Sequence, residues 1–262
     1  MTFNFTNKLA GKSVVIVGGT SGVGFAVAEG CIEFGASVVL VGRTKIKVEE
    51  AVQRLGATYP NASERVRGYA CDISSKTAED DITNLFEFVT AARKTVVDHV
   101  ISTAGGLPNT LTLTDVTSDD LVAFSRYHFI GDTMLAKIAS KYLDPAHTSS
   151  ITFTGGAGTF KPPPGWSVWA SIGGAKDALT RGLAISLAPI RVNLVSLGAI
   201  RTELFDQAAA NWGKEALEAS KDASILGVIG DPRDVAESYL GIIKNHFQTG
   251  TITLAEGGTL LK

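Results

Sequence analysis

The sequence predicts an α/β fold: a single doubly wound domain over residues 1–262, built on a parallel seven-stranded sheet with helices on both faces. Three observations predict it. A β-branched run, Val14-Val15-Ile16-Val17, enters a glycine-rich turn, and the turn opens a helix. Short apolar strands then alternate with helical stretches, the order that a parallel sheet covered on both faces requires. No internal repeat or linker interrupts the alternation, and 262 residues suffice for one sizeable core.

The first strand covers 13–17 and the helix after it 25–34. A second strand, 37–41, leads through Gly42-Arg43-Thr44 into a charged helix over 45–55. The third strand, 66–70, ends at Cys71-Asp72-Ile73, before a helix over 78–92. The fourth, 97–102, runs into Thr103-Ala104-Gly105-Gly106-Leu107-Pro108. Ser118 or Asp119 is placed to cap a long helix that reaches residue 142. The fifth strand, 150–154, meets a Gly/Pro-rich stretch over 155–165 and then a helix over 167–187 rich in small residues. The sixth, 191–196, leads to Gly198 and a mobile-looking segment over 203–226 that reads as a substrate lid. A helix over 232–244 and a strand over 251–255 follow.

Composition narrows the function classes. Hydrophobic residues make up 45% and charged residues 19%, which excludes long disordered spans. A net charge of −2 gives no basic footprint for nucleic acid and no polybasic anchor for a membrane. Residues 1–12 lack the apolar core of a secretory leader, and no apolar run approaches ~18 residues. Cys31 and Cys71 read as buried small hydrophobes rather than a disulfide, and no His/Cys spacing suggests a metal. A soluble cytoplasmic protein acting on a small molecule is the expectation.

The turn itself points to a dinucleotide. In Gly18-Gly19-Thr20-Ser21-Gly22-Val23-Gly24, Gly18 permits a tight turn off the strand and Gly22 lets the backbone approach a pyrophosphate. Gly24 lets the helix pack close to the sheet, and the helix N-terminus offers free N–H groups to phosphate. The context, between a buried strand and a helix at the start of a βαβ unit, is what gives the glycines their meaning.

Further blocks follow in order: Asp72 after the third strand and Ala104-Gly105 after the fourth, then Ile190-Arg191-Val192-Asn193, Gly198-Ala199-Ile200-Arg201-Thr202, and Thr249-Gly250 with Glu256-Gly257-Gly258. With them the chain resembles the short-chain dehydrogenase/reductase family over nearly its whole length. The resemblance implies that Asp72 and Ile73 meet the adenine and that Ala104 and Gly105 line the cofactor. It also implies that Thr202 and the backbone of Ile200 hold the nicotinamide carboxamide beside Gly198. Asp72 fits a turn or capping role equally well, and Thr202 fits an N-cap, which is compatible with its cofactor role.

Cofactor choice follows from charge. An acid at the end of the second strand would bond the ribose diol and repel a 2′-phosphate. Here the stretch is Val41-Gly42-Arg43-Thr44-Lys45, with no acid; Arg43 can pair with a phosphate bidentately and Thr44 can donate to it. NADP(H) is favoured over NAD(H), against the plainer reading of Arg43 as a solvated loop cation.

The family pattern then breaks. Its orthodox members use a Tyr-x-x-x-Lys pair, a Ser and an Asn. Four residues after Tyr59, Tyr69, Tyr127, Tyr142 and Tyr239 stand Ser63, Ile73, Gly131, Ala146 and Ile243, so no Tyr-x-x-x-Lys exists. Ungapped alignment back from Leu183-Ala184-Ile185-Ser186-Leu187 places Trp169 at the Tyr position, Gly173 at the Lys position and Gly156 at the Ser position. His128 best matches the Asn. The family's carbonyl mechanism does not carry over.

Hydride transfer to an iminium needs no general acid, because the product is a neutral amine. Trp169 beside the nicotinamide can stabilise a cation through its ring face or stack on a planar substrate, though a Trp that simply packs the core fits equally. His128 is the best surviving acid/base, and Asp132, one turn on, is placed to raise its pKa. A helix histidine satisfied by a carbonyl is the plainer reading. Trp166 and Pro162-Pro163-Pro164 predict a rigid apolar wall, and Phe205 and Trp212 a lid, over a bulky apolar or aromatic substrate. Fungal alkaloid-pathway reductases of this family share the missing tetrad, reduce an iminium with NADPH and template a cycloaddition. Divergent bacterial members with similar Pro-Pro-Gly-Trp and Leu-Ala-Pro-Ile-Arg-Val-Asn segments are resembled at least as closely.

The leading expectation is an NADPH-dependent reductase of a C=N⁺ or other activated double bond, with a possible share in cyclisation. The alternatives are a redox-silent cyclase or isomerase, a carbonyl reductase with a relocated proton donor, and an NADPH-binding scaffold without activity. Small residues Ala170, Ser171, Gly173, Gly174, Ala175, Ala178 and Gly182 on one helix, with the last strand, resemble the family's contacts and imply a homodimer or homotetramer.

Overall fold

The β-branched runs form what their pattern demands. In a computed structural model, which describes residues 4–106 and 112–262 and only the helical backbone of 208–216, seven parallel strands make one sheet. They are β1 (Ser13–Val17), β2 (Ser37–Gly42), β3 (Val66–Ala70), β4 (His99–Ser102), β5 (Ser150–Gly156), β6 (Arg191–Leu197) and β7 (Ile252–Ala255), in the order β3-β2-β1-β4-β5-β6-β7. Alternate residues face opposite cores. Val14 and Ile16 of β1 join Phe25, Leu55 and Leu240 on one side, while Val15 and Val17 join Phe86, Leu135 and Phe153 on the other. Burial on both faces is why the strands read as continuous apolar runs.

The helices are α1 (Gly22–Glu33), α2 (Lys45–Thr58), α3 (Ala78–Val89), α4 (Ser118–Ser125), α5 (Gly131–Ala139), α6 (Ser167–Ser186), α7 (Glu203–Ala223) and α8 (Pro232–Lys244). From β1 the chain winds outward to β3, then returns to β4 and winds the other way. That reversal opens a crevice at the carboxyl ends of β1 and β4, where such folds bind ligands.

The segment read as a lid over 203–226 is mostly helical: Glu203–Ala223 is a helix, capped by Thr202, whose Oγ1 accepts from Phe205 N at 3.1 Å. Glu203 and Asp206 in its first turn suit the helix dipole. Two expectations need correction. The long helix expected over 118–142 is divided into α4, a π-helical turn (Arg126–Ile130) and α5. Its cap is Thr117 rather than Ser118 or Asp119, because Thr117 and Asp120 close a reciprocal capping box. The helix expected to reach residue 92 stops at Val89, where Ala91, Ala92 and Arg93 turn with positive φ. Leu107 and Pro108 lie outside the described residues.

Cys31 and Cys71 are free and buried, and burial pushes both thiols up to about 12. Among the described residues no helix is long and apolar enough to cross a membrane.

Candidate active site

At the carboxyl ends of the central strands lies a cleft of about 1580 Å³. Every residue expected to hold the cofactor lines it. Gly18, Thr20, Ser21, Gly22, Val23 and Gly24 come from the first turn, Arg43 and Thr44 follow β2, and Asp72 and Ile73 follow β3. Ala104 and Gly105 follow β4, and Gly198, Ile200 and Thr202 follow β6. The turn has no room for side chains. Gly18 has φ +83°, and a Cβ there would lie 2.7 Å from Ala104 N; one at Gly24 would lie 2.4 Å from Gly18 O. Gly22 N donates to Glu203 Oε2 at 3.0 Å, so an anion of the chain itself sits at the N-terminus of α1.

Beyond the end of β2, the Arg43 guanidinium lies 5.5 Å from the centre of the Tyr127 ring, and Tyr127 OH donates to Gly105 O at 3.1 Å. Tyr127 thus ties the π-helical turn to the loop after β4. Asp72 accepts from Ser74 N and Ser74 Oγ at 2.9 and 2.6 Å, so it makes the turn while also lining the cleft. Lys47 and Arg54 of α2 line the cleft too, and the sequence reading missed both. Their signal was there: cations following Arg43 on the helix that continues from it. Arg54 is held over the Phe25 ring at 3.6 Å and donates to Thr20 O at 3.2 Å.

At the other end, aromatic rings gather. His128, from the π-helical turn, has ring-centre distances of 4.5 Å to Phe124, 4.9 Å to Tyr127 and 4.8 Å to Trp169. Trp169 meets Phe124 edge-on at 4.6 Å and Trp166 at 5.7 Å. Trp166, Trp169, His128 and Phe205 all line the cleft. Trp169 Nε1 is buried with no hydrogen-bond partner among the described residues, so its donor remains free. Of the expected wall, Pro163 lines the cleft, and the run Pro162-Pro163-Pro164 is exposed. Trp212 lies outside the residues whose side chains are described.

Asp132 does not do what its spacing suggested. Buried, it accepts from Ser102 Oγ at 2.6 Å and forms an ion pair with Lys176 Nζ at 2.7 Å. Burial, and then the Lys176 charge, push His128 down to about 4 rather than up. His128 is therefore neutral near pH 7. Asp132 does not line the cleft; Lys176 does, and it also donates to Thr154 O at 2.8 Å.

Lys176 was missed, although its place on α6 was legible. Val168, Lys176 and Thr180 are buried along one helical stripe, with Gly173 one turn before the lysine. At Gly173 a Cβ would lie 2.0 Å from Thr159 Oγ1, so Thr159 occupies the space from which a side chain at 173 would grow. The chain's buried ammonium reaches the cleft from one turn further along the helix.

Comparison with known proteins agrees with this architecture. The family model for an SDR-like Rossmann domain matches residues 5–262. The short-chain dehydrogenase/reductase ATR9 of Stachybotrys chlorohalonatus is 39% identical over 97% of this chain and 99% of its own. The short-chain dehydrogenase/reductase malC of Malbranchea aurantiaca is 34% identical over 97% of this chain and 96% of its own. The solved structure of the MalC reductase/Diels-Alderase superposes with a TM-score of 0.91 at 33% identity, covering 98% of this chain and 99% of that one. Fold, cofactor turn and these relatives together place the chain in the short-chain dehydrogenase/reductase family.

Proposed function

We propose that the chain is an NADPH-dependent reductase that transfers hydride to an iminium or other activated double bond of a bulky apolar or aromatic substrate, on a surface that also templates cyclisation. One observation carries the reading. The cleft joins a dinucleotide cradle to an aromatic cluster whose histidine is neutral, and nearby donors are engaged elsewhere: Lys176 with Asp132 and Thr154 O, Lys161 with Thr259 O, and Tyr127 OH with Gly105 O. Such a site is poor at delivering a proton and good at receiving a flat or cationic molecule. The likeness to a relative named as a reductase/Diels-Alderase supports a reductase that also takes part in ring formation.

The residues present fit the cofactor. The side-chain-free turn at Gly18 and Gly24 and the Gly22 N–H at the start of α1, which already holds an anionic oxygen of Glu203, suit a pyrophosphate. Arg43 and Thr44, with no acid at the end of β2, suit a 2′-phosphate, and Thr202 with the Ile200 backbone suits the carboxamide. NADPH bound there supplies the hydride. Trp169, with Trp166 and Phe124 around it, holds the substrate ring and lowers the energy of a positive charge by ~0.5–2 kcal/mol. Neutral His128 accepts a hydrogen bond or orients the substrate without adding charge. Phe205, on the first turn of the lid over 203–226, closes the apolar end. The same reading has the chain assemble as a homodimer or homotetramer through α6 and β7, where Ile185 and Leu254 are 82% and 50% exposed.

The test is single-turnover absorbance at the nicotinamide band with NADPH and a panel of cyclic iminiums and ketones. Oxidation with an iminium but not a ketone, retained in His128→Ala, is expected. Saturable NADPH binding with no oxidation by any member would replace the reductase with a template cyclase. Absence of NADPH binding would overturn both.

A further inference from the structure

The first turn of α7 faces the glycine-rich turn, and there the chain presents its own carboxylate to the phosphate-binding donor. Glu203 Oε2 accepts from Gly22 N at 3.0 Å. The contact is close on both sides, since a Cβ at Gly22 would lie 2.9 Å from Thr202 Cγ2. That N–H belongs to the N-terminus of α1, the group that a pyrophosphate oxygen takes in a site of this kind. One N–H cannot serve a carboxylate and a phosphate at full strength, and two anions at that separation repel.

A second partner stands beside the first. Glu203 Oε1 lies 3.9 Å from Arg54 Nη1, at the limit of an ion pair. Arg54 is itself fixed, by the Phe25 ring beneath it and by Thr20 O. A small rotation of the glutamate would exchange the Gly22 contact for a full pair with Arg54. Glu203 is half-exposed, so the rotation meets no packed core.

We propose that Glu203 is a displaceable internal anion of the cofactor site, which holds the phosphate-binding turn until a dinucleotide pyrophosphate takes the Gly22 N–H and then moves onto Arg54. The proposal rests on the dinucleotide reading given above. It has two consequences. The carboxylate lowers the affinity of the turn for any pyrophosphate-bearing cofactor, reduced and oxidised alike. It also links cofactor binding to the lid, because Glu203 and the cleft-lining Phe205 share the first turn of α7.

The experiment titrates NADPH and NADH into the wild type, E203Q, R54A and the E203Q/R54A double variant, following quenching of tryptophan fluorescence. E203Q is expected to bind both dinucleotides about tenfold more tightly, since the gain comes from the shared pyrophosphate. R54A is expected to weaken binding more in the presence of Glu203 than in E203Q, a non-additivity that reports the coupling of the two side chains. Hydrogen exchange at residues 203–207 is expected to rise when NADPH binds the wild type, and to be raised already in cofactor-free E203Q. Unchanged or weaker binding by E203Q, with the wild type binding NADPH normally, overturns the proposal alone. Failure of every version to bind either dinucleotide overturns the cofactor reading and the proposal with it.

Discussion

Lys176 and Asp132 are both buried, and each charge is tolerable because the other is there. Removing one partner of such a pair leaves a buried charge unmatched. Lys176→Met is expected to cost about 3–5 kcal/mol of stability in urea denaturation, and Lys176→Met with Asp132→Leu to recover most of it. A loss that the double variant leaves unrelieved would show that the lysine acts on stability through something other than this pair. Trp169 makes a different prediction. Trp169→Ala is expected to lower kcat/KM for a cationic substrate by roughly 2- to 30-fold with NADPH affinity unchanged, and Trp169→Phe to lower it less. Equal losses in the two variants would assign the effect to the free indole N–H rather than to the ring face. Most of the cleft-lining residues were legible because each sits at a fixed place after a strand. The ion pair was not, since nothing in a one-dimensional pattern says which buried acid meets which buried base.

Helix capping and helix division decide where the catalytic-side residues point. Thr117 closes α4 by accepting from Asp120 N, while Asp120 reaches back to Thr117 N. The Thr117 hydroxyl, and then Thr117 N, donate to the Asp120 carboxylate and pull it below its usual range. Thr117→Ala is expected to lower the unfolding free energy by about 1 kcal/mol, read from the denaturation midpoint. Beyond α4 the π-helical turn inserts extra backbone into the helix, which is where Tyr127 and His128 reach the cleft. The apolar spacing before and after this turn is ordinary, so the sequence read as one continuous helix. The segment over 203–226 carried no helix assignment from the sequence, yet the Ala, Glu and Lys content of α7 suits one.

Across the whole molecule, two buried histidines tie stability to pH. Burial, with Arg191 and Lys12 nearby, pushes His99 down to about 3, and burial with Lys176 pushes His128 down to about 4. Their unfolded values lie near 6.5. Between those limits the unfolded chain binds more protons than the folded one, so stability rises with pH and falls as pH drops below 6.5. At pH 5 the two together are expected to cost about 4 kcal/mol relative to pH 7.5, read from thermal unfolding at both values. A flat profile would mean that neither ring is held neutral. Assembly is the other molecular-scale test. Ile185→Glu, on the exposed face of α6, is expected to shift the mass measured by light scattering toward the monomer, and an unchanged mass would remove that face from the interface.

The sequence by itself determined the seven strands, their parallel direction and the glycine-rich turn. These depend on local signals, namely apolar periodicity, glycine at a strand end and a helix start, which are written along the chain. Only the tertiary structure decided the pairing of Lys176 with Asp132, the neutrality of His128 and the contact of Glu203 with Gly22. Each joins side chains from different elements, and their charges and distances exist only once the sheet has brought those elements together.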